Sequence, residues 1–116
     1  MSHLRHNQMK QLIKSDKPAY GVSVQFPSPE LVEMIGELNF DWVMLDAEHG
    51  SITADNIGPM IMAAEIRGLT PIVRPENNDP SVINKYLDRG AMGVQVPHIN
   101  TADEARAVVN ACLYHP

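Results

Sequence analysis

The chain is poor in the features that announce specialised classes of protein. Its single cysteine, Cys112, cannot form an internal disulfide, which fits a reducing, cytoplasmic setting. Aromatic residues make up 5% of it, and its nine Lys and Arg against fourteen Asp and Glu form no cluster of like charge. The net charge of -5 argues against nucleic acid or an anionic membrane as partner, since both reward clustered cations. No apolar run approaches the ~18 residues of a membrane span, and the polar stretch 1–17 lacks the ~7–15-residue apolar core of a signal peptide. Linkers and low-complexity tracts are missing, as is any Gly-x-Gly-x-x-Gly after the first apolar run, where Val24-Gln25-Phe26-Pro27 makes a poor phosphate cradle. What remains is an ordinary globular composition, 44% hydrophobic and 20% charged, in 116 residues, enough for one domain at most.

Within it, short apolar runs alternate with helical patterns. A short polar helix is expected near 7–15, then a strand at 20–24. Ser28 as N-cap and Pro29 as first residue open a helix that buries Leu31, Ile35 and Leu38. A strand at 42–46 follows, then a helix over 53–67 whose apolar stripe is Ile57, Met60, Ile61 and Ala64, ended by Gly68. The strand 70–74 leads through Asp79 and Pro80 into a helix that stops near Asp88-Arg89-Gly90. A last strand, 93–97, precedes a helix opened by the capping box Thr101-Ala102-Asp103-Glu104, with Ala105, Val108, Val109 and Cys112 on its buried side. Met34 and Met60 read as core filler. Strands that are apolar throughout are covered on both faces, as parallel strands are, so the pattern describes four βα units of an α/β fold. A closed (β/α)₈ barrel needs eight units and about 250 residues. A four-stranded doubly wound sheet meets the same count.

Two of these strands end on charge. Trp42-Val43-Met44-Leu45 gives way to Asp46-Ala47-Glu48-His49-Gly50, and Thr70-Pro71-Ile72-Val73 closes on Arg74. Sites in parallel α/β proteins are assembled at the carboxyl ends of strands, so an acid-acid-histidine cluster there reads as chemistry before packing. The plainer alternatives are a loop histidine at 49 and an Arg74 paired on the surface with Glu76 or Asp79. His98, after Pro97 at the end of the fourth strand, is placed to line the pocket but is expected to be an ordinary loop histidine, and His3, His6 and His115 to be solvated. Gln25, past the first strand, borders the same mouth.

The segments Gln25-Phe26-Pro27-Ser28-Pro29-Glu30, Leu45-Asp46-Ala47-Glu48-His49-Gly50, Val73-Arg74-Pro75 with Asn78-Asp79-Pro80, Leu87-Asp88-Arg89-Gly90-Ala91, Val96-Pro97 and Thr101-Ala102-Asp103-Glu104-Ala105-Arg106 are individually weak signals. In this order and spacing they make residues 20–116 resemble the amino-terminal half of an HpcH/HpaI-type aldolase, a metal-dependent pyruvate aldolase that cleaves 4-hydroxy-2-oxo acids. The resemblance implies a (β/α)₈ TIM-barrel fold, of which residues 1–116 supply half, and a cytoplasmic, homo-oligomeric lyase acting on a 2-oxo acid with a pyruvate moiety and on an aldehyde. It places His49, Arg74 and Asp88 among the functional residues, with Arg74 and Gln25 at the substrate and Asp46 and Glu48 in support. Asp88 precedes the fourth strand, at the far end of the barrel, so it would reach His49 only across a subunit contact.

Residue chemistry agrees with those roles. An imidazole at His49 suits the base that takes the hydroxyl proton at C4, and the Arg74 guanidinium suits the developing enolate oxygen. A divalent cation, Mg²⁺, Mn²⁺ or Co²⁺, would share that charge. The resemblance puts its ligands, a glutamate and an aspartate, on later strands in Gln-Ile-Glu and Gly-Pro-Ala-Asp segments, and no such segment occurs in residues 1–116. Two expectations therefore stand side by side. One is a carbon-carbon lyase of which this is a truncated part without its metal site, as the abrupt Leu113-Tyr114-His115-Pro116 ending suggests. The other is a non-catalytic half-barrel module that self-associates or binds a partner to hide its open sheet edges.

Overall fold

Helices and parallel strands alternate along residues 4–113, the part of the chain that the computed structural model describes. In chain order they are α1 (Gln8–Lys14), β1 (Gly21–Val24), α2 (Pro29–Glu37), β2 (Trp42–Asp46), α3 (Gly58–Ile66), β3 (Thr70–Arg74), α4 (Pro80–Asp88), β4 (Gly93–Val94) and α5 (Ala102–Ala111). Local chemistry sets most boundaries. The Ser28 hydroxyl accepts from the Leu31 N–H at 3.2 Å, and Asp79 Oδ1 from the Ser81 N–H at 2.8 Å. At α5 the box closes both ways: Thr101 Oγ1 accepts from Glu104 N–H at 3.2 Å, and Glu104 Oε2 accepts from Thr101 N–H at 3.1 Å.

Two elements are shorter than the sequence predicts. Residues 53–57 form a turn rather than the start of α3, because the Asn56 side chain competes for the backbone: its Oδ1 accepts from Thr53 N–H at 2.8 Å and its Nδ2 donates to Ser51 O at 3.1 Å. The helix begins only at Gly58 and Pro59, where a missing proline N–H costs nothing. β4 stops at Val94 rather than 97. Gln95 N–H still donates to Val73 O at 2.8 Å, but Pro97 has no N–H with which to continue the ladder.

The sheet order is β1-β2-β3-β4, every pair parallel. Register and the period-two alternation of strands sort its side chains onto two faces. Val24, Val43, Leu45 and Val73 join Val32, Ile35, Ile57, Met60, Ile61, Ala64 and Tyr86 in the core between sheet and helices. Each such aliphatic burial stabilises the fold by about 2 kcal/mol. The other face carries Ser23, Met44, Ile72 and Gly93 in one row across the four strands, and above it Asp46 paired with Arg74. α1 crosses the amino ends of the strands on that side, Met9 N–H donating to Thr70 Oγ1 at 3.1 Å. A cavity of about 560 Å³ opens beside it, lined by Met9, Ile13, Ile72, Met92, Gly93 and Val94. Four consecutive βα units with helices on the outer face and a helix at the amino end are half of a (β/α)₈ barrel.

Several core expectations need correction. Leu38 and Met34 are exposed, because α2 turns Val32 and Ile35 inward and leaves Leu31 only partly buried. α5 has no buried residue at all: it packs on α4, which half-covers Val108 and leaves Ala105, Val109 and Cys112 exposed. His3 and His115 lie outside the described residues.

Candidate active site at the carboxyl ends of the strands

Asp46 is the last residue of β2 and Arg74 the last of β3, and register places them side by side. Arg74 Nη2 and Nε donate to Asp46 Oδ2 and Oδ1 at 2.6 and 3.0 Å, a two-pronged pair in which Asp46 is fully buried. The backbone N–H groups of Glu48 and His49 both donate to Asp46 Oδ1 at 3.1 Å, so the same carboxylate folds the loop after β2. Arg74's hydrogen bonds hold the Asp46 carboxyl well below the usual carboxylate range, against the opposing effect of burial. Asp46 in turn raises the Arg74 guanidinium above its ordinary value. Neither Glu76 nor Asp79 takes Arg74: Glu76 accepts from the Tyr86 hydroxyl at 2.8 Å and Asp79 caps α4.

Glu48 is the second hub. Its side chain is 10% exposed, and Oε2 lies 3.3 Å from Arg74 Nε and 3.5 Å from His49 Nε2. Oε1 faces His98 Nε2 at 2.9 Å. The two imidazoles are open to solvent, His49 63% and His98 74% exposed, so a carboxylate held inside the mouth faces two rings at its rim. Gln25 closes the β1 side, its Nε2 donating to Asp46 Oδ2 at 3.4 Å and its carbonyl accepting from Ser51 N–H at 2.8 Å. Gly50 makes this crossing possible: a Cβ there would fall 2.3 Å from Gln25 O and 2.4 Å from Asp46 O.

The structure thus brings Gln25, Asp46, Glu48, His49 and Arg74 together and adds His98, for which the sequence favours an ordinary loop histidine. The available signal was positional, since His98 follows the fourth strand much as His49 follows the second. Asp88 is not part of the cluster. It ends α4, exposed, on the side where the chain enters β4, among Arg5, Asn84, Leu87 and Cys112.

As a metal site the cluster fits poorly. Asp46 has both oxygens on Arg74 and two backbone N–H groups besides, and both oxygens of Glu48 already face cations or imidazoles. Among the described residues no three His, Cys, Asp or Glu side chains are grouped to hold an ion. Chemically the arrangement offers a fixed guanidinium, whose Nη1 edge is left over from the carboxylates, beside imidazoles with ring nitrogens that can accept or donate a proton.

Comparison with known proteins relates the sequence and the fold to one family. The profile of the HpcH/HpaI aldolase/citrate lyase family matches residues 20–116. A hydroxypyruvate/pyruvate aldolase of Rhizorhabdus wittichii is 36% identical over 110 residues, which are 95% of this chain and 44% of that protein. A 4-hydroxy-2-oxo-heptane-1,7-dioate aldolase of Escherichia coli is 33% identical over 110 residues, 95% of this chain and 42% of its own length. Among solved structures, an HpcH/HpaI aldolase/citrate lyase family protein from Burkholderia cenocepacia superposes with a TM-score of 0.84 at 28% identity, covering 91% of this chain and 42% of that one. The chain therefore spans less than half the length of the relatives it matches. Matched along most of its length by the family profile, the chain belongs to the HpcH/HpaI aldolase/citrate lyase family.

Proposed function

We propose that this chain carries the proton-transfer and enolate-stabilising half of a carbon-carbon lyase site, which cleaves a 4-hydroxy-2-oxo acid to pyruvate and an aldehyde. The observation that carries the reading is the Asp46–Arg74 clamp with Glu48 and His49 beside it at the carboxyl ends of β2 and β3. In this reading His49 takes the proton of the C4 hydroxyl and the C3–C4 bond breaks. The aldehyde leaves, and the electron pair settles on the C2 oxygen as an enolate. Arg74, held by two carboxylates through Nε and Nη2, presents Nη1 to that oxygen, and a proton returned to C3 completes pyruvate. Asp46 and Glu48 keep the guanidinium and imidazole in place, and Gln25 borders the substrate. The divalent cation that the resemblance implies finds no donor set in this cluster. Relatives named as pyruvate and 4-hydroxy-2-oxo-heptane-1,7-dioate aldolases support the substrate class.

The reading extends to a homo-oligomer in which Asp88 of one copy approaches His49 of another. Exposed apolar pairs one turn apart on neighbouring helices, Met34 with Leu38 on and just past α2 and Met62 with Ile66 on α3, support an assembly. The test is pyruvate release from 4-hydroxy-2-oxo acids, coupled to lactate dehydrogenase, by the product of the complete reading frame with Mg²⁺, Mn²⁺ or Co²⁺. His49→Ala and Arg74→Ala are each expected to lower kcat by about a hundredfold. Unchanged turnover in both variants would defeat the reading. Residues 1–116 alone are expected not to exchange the methyl protons of pyruvate with Mg²⁺ present; exchange seen by NMR would reveal a metal site beyond the cluster. A second reading, a half-barrel that binds or self-associates without catalysis, is favoured by the apolar inner face and its cavity, and a stop codon directly after Pro116 would support it.

A further inference from the structure

One row of residues crosses all four strands at their carboxyl ends. Parallel register pairs Val24 with Leu45, Asp46 with Arg74 and Val73 with Val94, so the next step of the outer ladders sets Gln25 beside Asp46 and Gln95 beside Arg74. The Gln95 N–H continues its ladder by donating to Val73 O at 2.8 Å. Alternation then turns Gln95 to the same inner face as Arg74, Ile72 and Gly93, where it lines the apolar cavity. The row therefore reads Gln25, Asp46, Arg74, Gln95. Its first three members bond one another, Gln25 Nε2 donating to Asp46 Oδ2 and Arg74 to both Asp46 oxygens. Gln95 is exposed, and its side-chain amide has no hydrogen-bond partner among the described residues.

Strand order decides what that amide meets. Asp46 and Glu48, on β2 and the loop after it, hold the Nε and Nη2 edge of Arg74 and leave Nη1 to the substrate. In the lyase reading, on which this step rests, His49 after β2 takes the C4 hydroxyl proton and Arg74 on β3 meets the C2 oxygen. C1 lies on the far side of C2 from C3 and C4. A 2-oxo acid laid from β2 to β3 therefore carries its C1 carboxylate onward to β4, one strand spacing of about 4.8 Å further along the row. We infer that Gln95 is a substrate-binding residue: its Nε2 donates to the C1 carboxylate while Arg74 Nη1 donates to the C2 oxygen. A neutral amide suits that place, because it offers N–H donors to an anion without a second cation to compete with Arg74 for Asp46 and Glu48. Gln25, turned to Asp46 on the β1 side, borders the substrate at its other end.

The test measures Kd for pyruvate and for its neutral analogue pyruvamide by isothermal titration calorimetry, on the product of the complete reading frame with Mg²⁺. Parent, Gln95→Ala and Gln95→Glu are compared. The side chain is exposed and unbonded, so circular dichroism should show both variants folded as the parent is. Gln95→Ala should weaken pyruvate about tenfold. Gln95→Glu sets a carboxylate against the ligand's own, yet can accept from the amide of pyruvamide, so the preference for pyruvate over pyruvamide should fall about a hundredfold. In the catalytic assay both variants should raise KM more than they lower kcat, as loss of a ground-state contact does. Unchanged pyruvate affinity and an unchanged preference, with pyruvate still released by the parent, would overturn the inference and leave the lyase reading standing. If the preference shifts as expected while no variant, parent included, releases pyruvate, the lyase reading falls and Gln95 remains a contact for a 2-oxo acid carboxylate. A parent that neither binds nor releases pyruvate overturns both.

Discussion

Asp46 shows how much one side chain can carry. It ends β2, pairs Arg74 through both oxygens and folds the next loop by accepting two backbone N–H groups. Asp46→Asn keeps an oxygen for the loop and removes the charge, leaving Arg74 short of a partner, so it should cost about 3 kcal/mol near neutral pH. The sign of the pH dependence follows from the lowered carboxyl. The folded state favours the ionised form more than the unfolded chain does, so the pair stabilises fully above the ordinary aspartate pKa of about 3.9 and loses that contribution as pH falls below it. Urea denaturation of parent and variant should therefore differ most near pH 7 and converge in acid; a gap that stays constant down to pH 3 would count against the pair as its source. Charge at strand ends made Asp46, Glu48, His49 and Arg74 legible from sequence alone. His98 carries only a positional signal, its place after the fourth strand, because its left-handed backbone and its contact with Glu48 across two strands leave no mark on local pattern.

Among the elements, the loop after β2 is the one whose geometry the site needs. It crosses β1 so closely that Gly50 meets two backbone carbonyls, and backbone cannot swing aside as a side chain can. Gly50→Ala should destabilise the chain by about 2 kcal/mol and displace the loop. Backbone ¹H–¹⁵N spectra should then show the His49 and Glu48 amides moving together; unchanged shifts would mean that the loop has room to spare. Thr101→Ala supplies the contrast, since its hydroxyl bonds only within the α5 capping box, and it should cost about 1 kcal/mol with the Gly50 and Arg74 amides unmoved. Proline, serine and the capping residues marked helix starts clearly in the sequence at α2, α4 and α5. The start of α3 is less legible, because the apolar stripe does not mark it and Asn56 holds the chain in a turn first. The end of β4 is illegible for a related reason: Val94 and Val96 extend the strand pattern to Pro97, but the ladder stops once a donor is missing.

At the scale of the whole molecule the sheet has one face completed by helices and one covered only at its amino end by α1. Four βα units in order are legible because apolar strands alternate with helical patterns, and α2, α3 and α4 each bury a stripe. Which residues of α2 and α5 stay outside is not, since exposure of Met34, Leu38, Val109 and Cys112 depends on how neighbouring elements lie. The inner row of Met44, Ile72 and Gly93, together with the apolar cavity beside α1, is a surface that a four-stranded sheet cannot close on itself. Residues 1–116 should therefore associate in a concentration-dependent way, which sedimentation velocity measures. Two substitutions on adjacent positions of β3 separate that association from general instability. Val73 is fully buried against the helices, so Val73→Lys places a charge in the core and should unfold the chain. Ile72 lies half-buried on the inner face, so Ile72→Lys should leave the circular dichroism of the fold intact and shift the sedimenting species toward monomer. If Ile72→Lys associates as strongly as the parent chain, the contact surface lies elsewhere, and the exposed apolar pairs of α2 and α3 become the face to alter next.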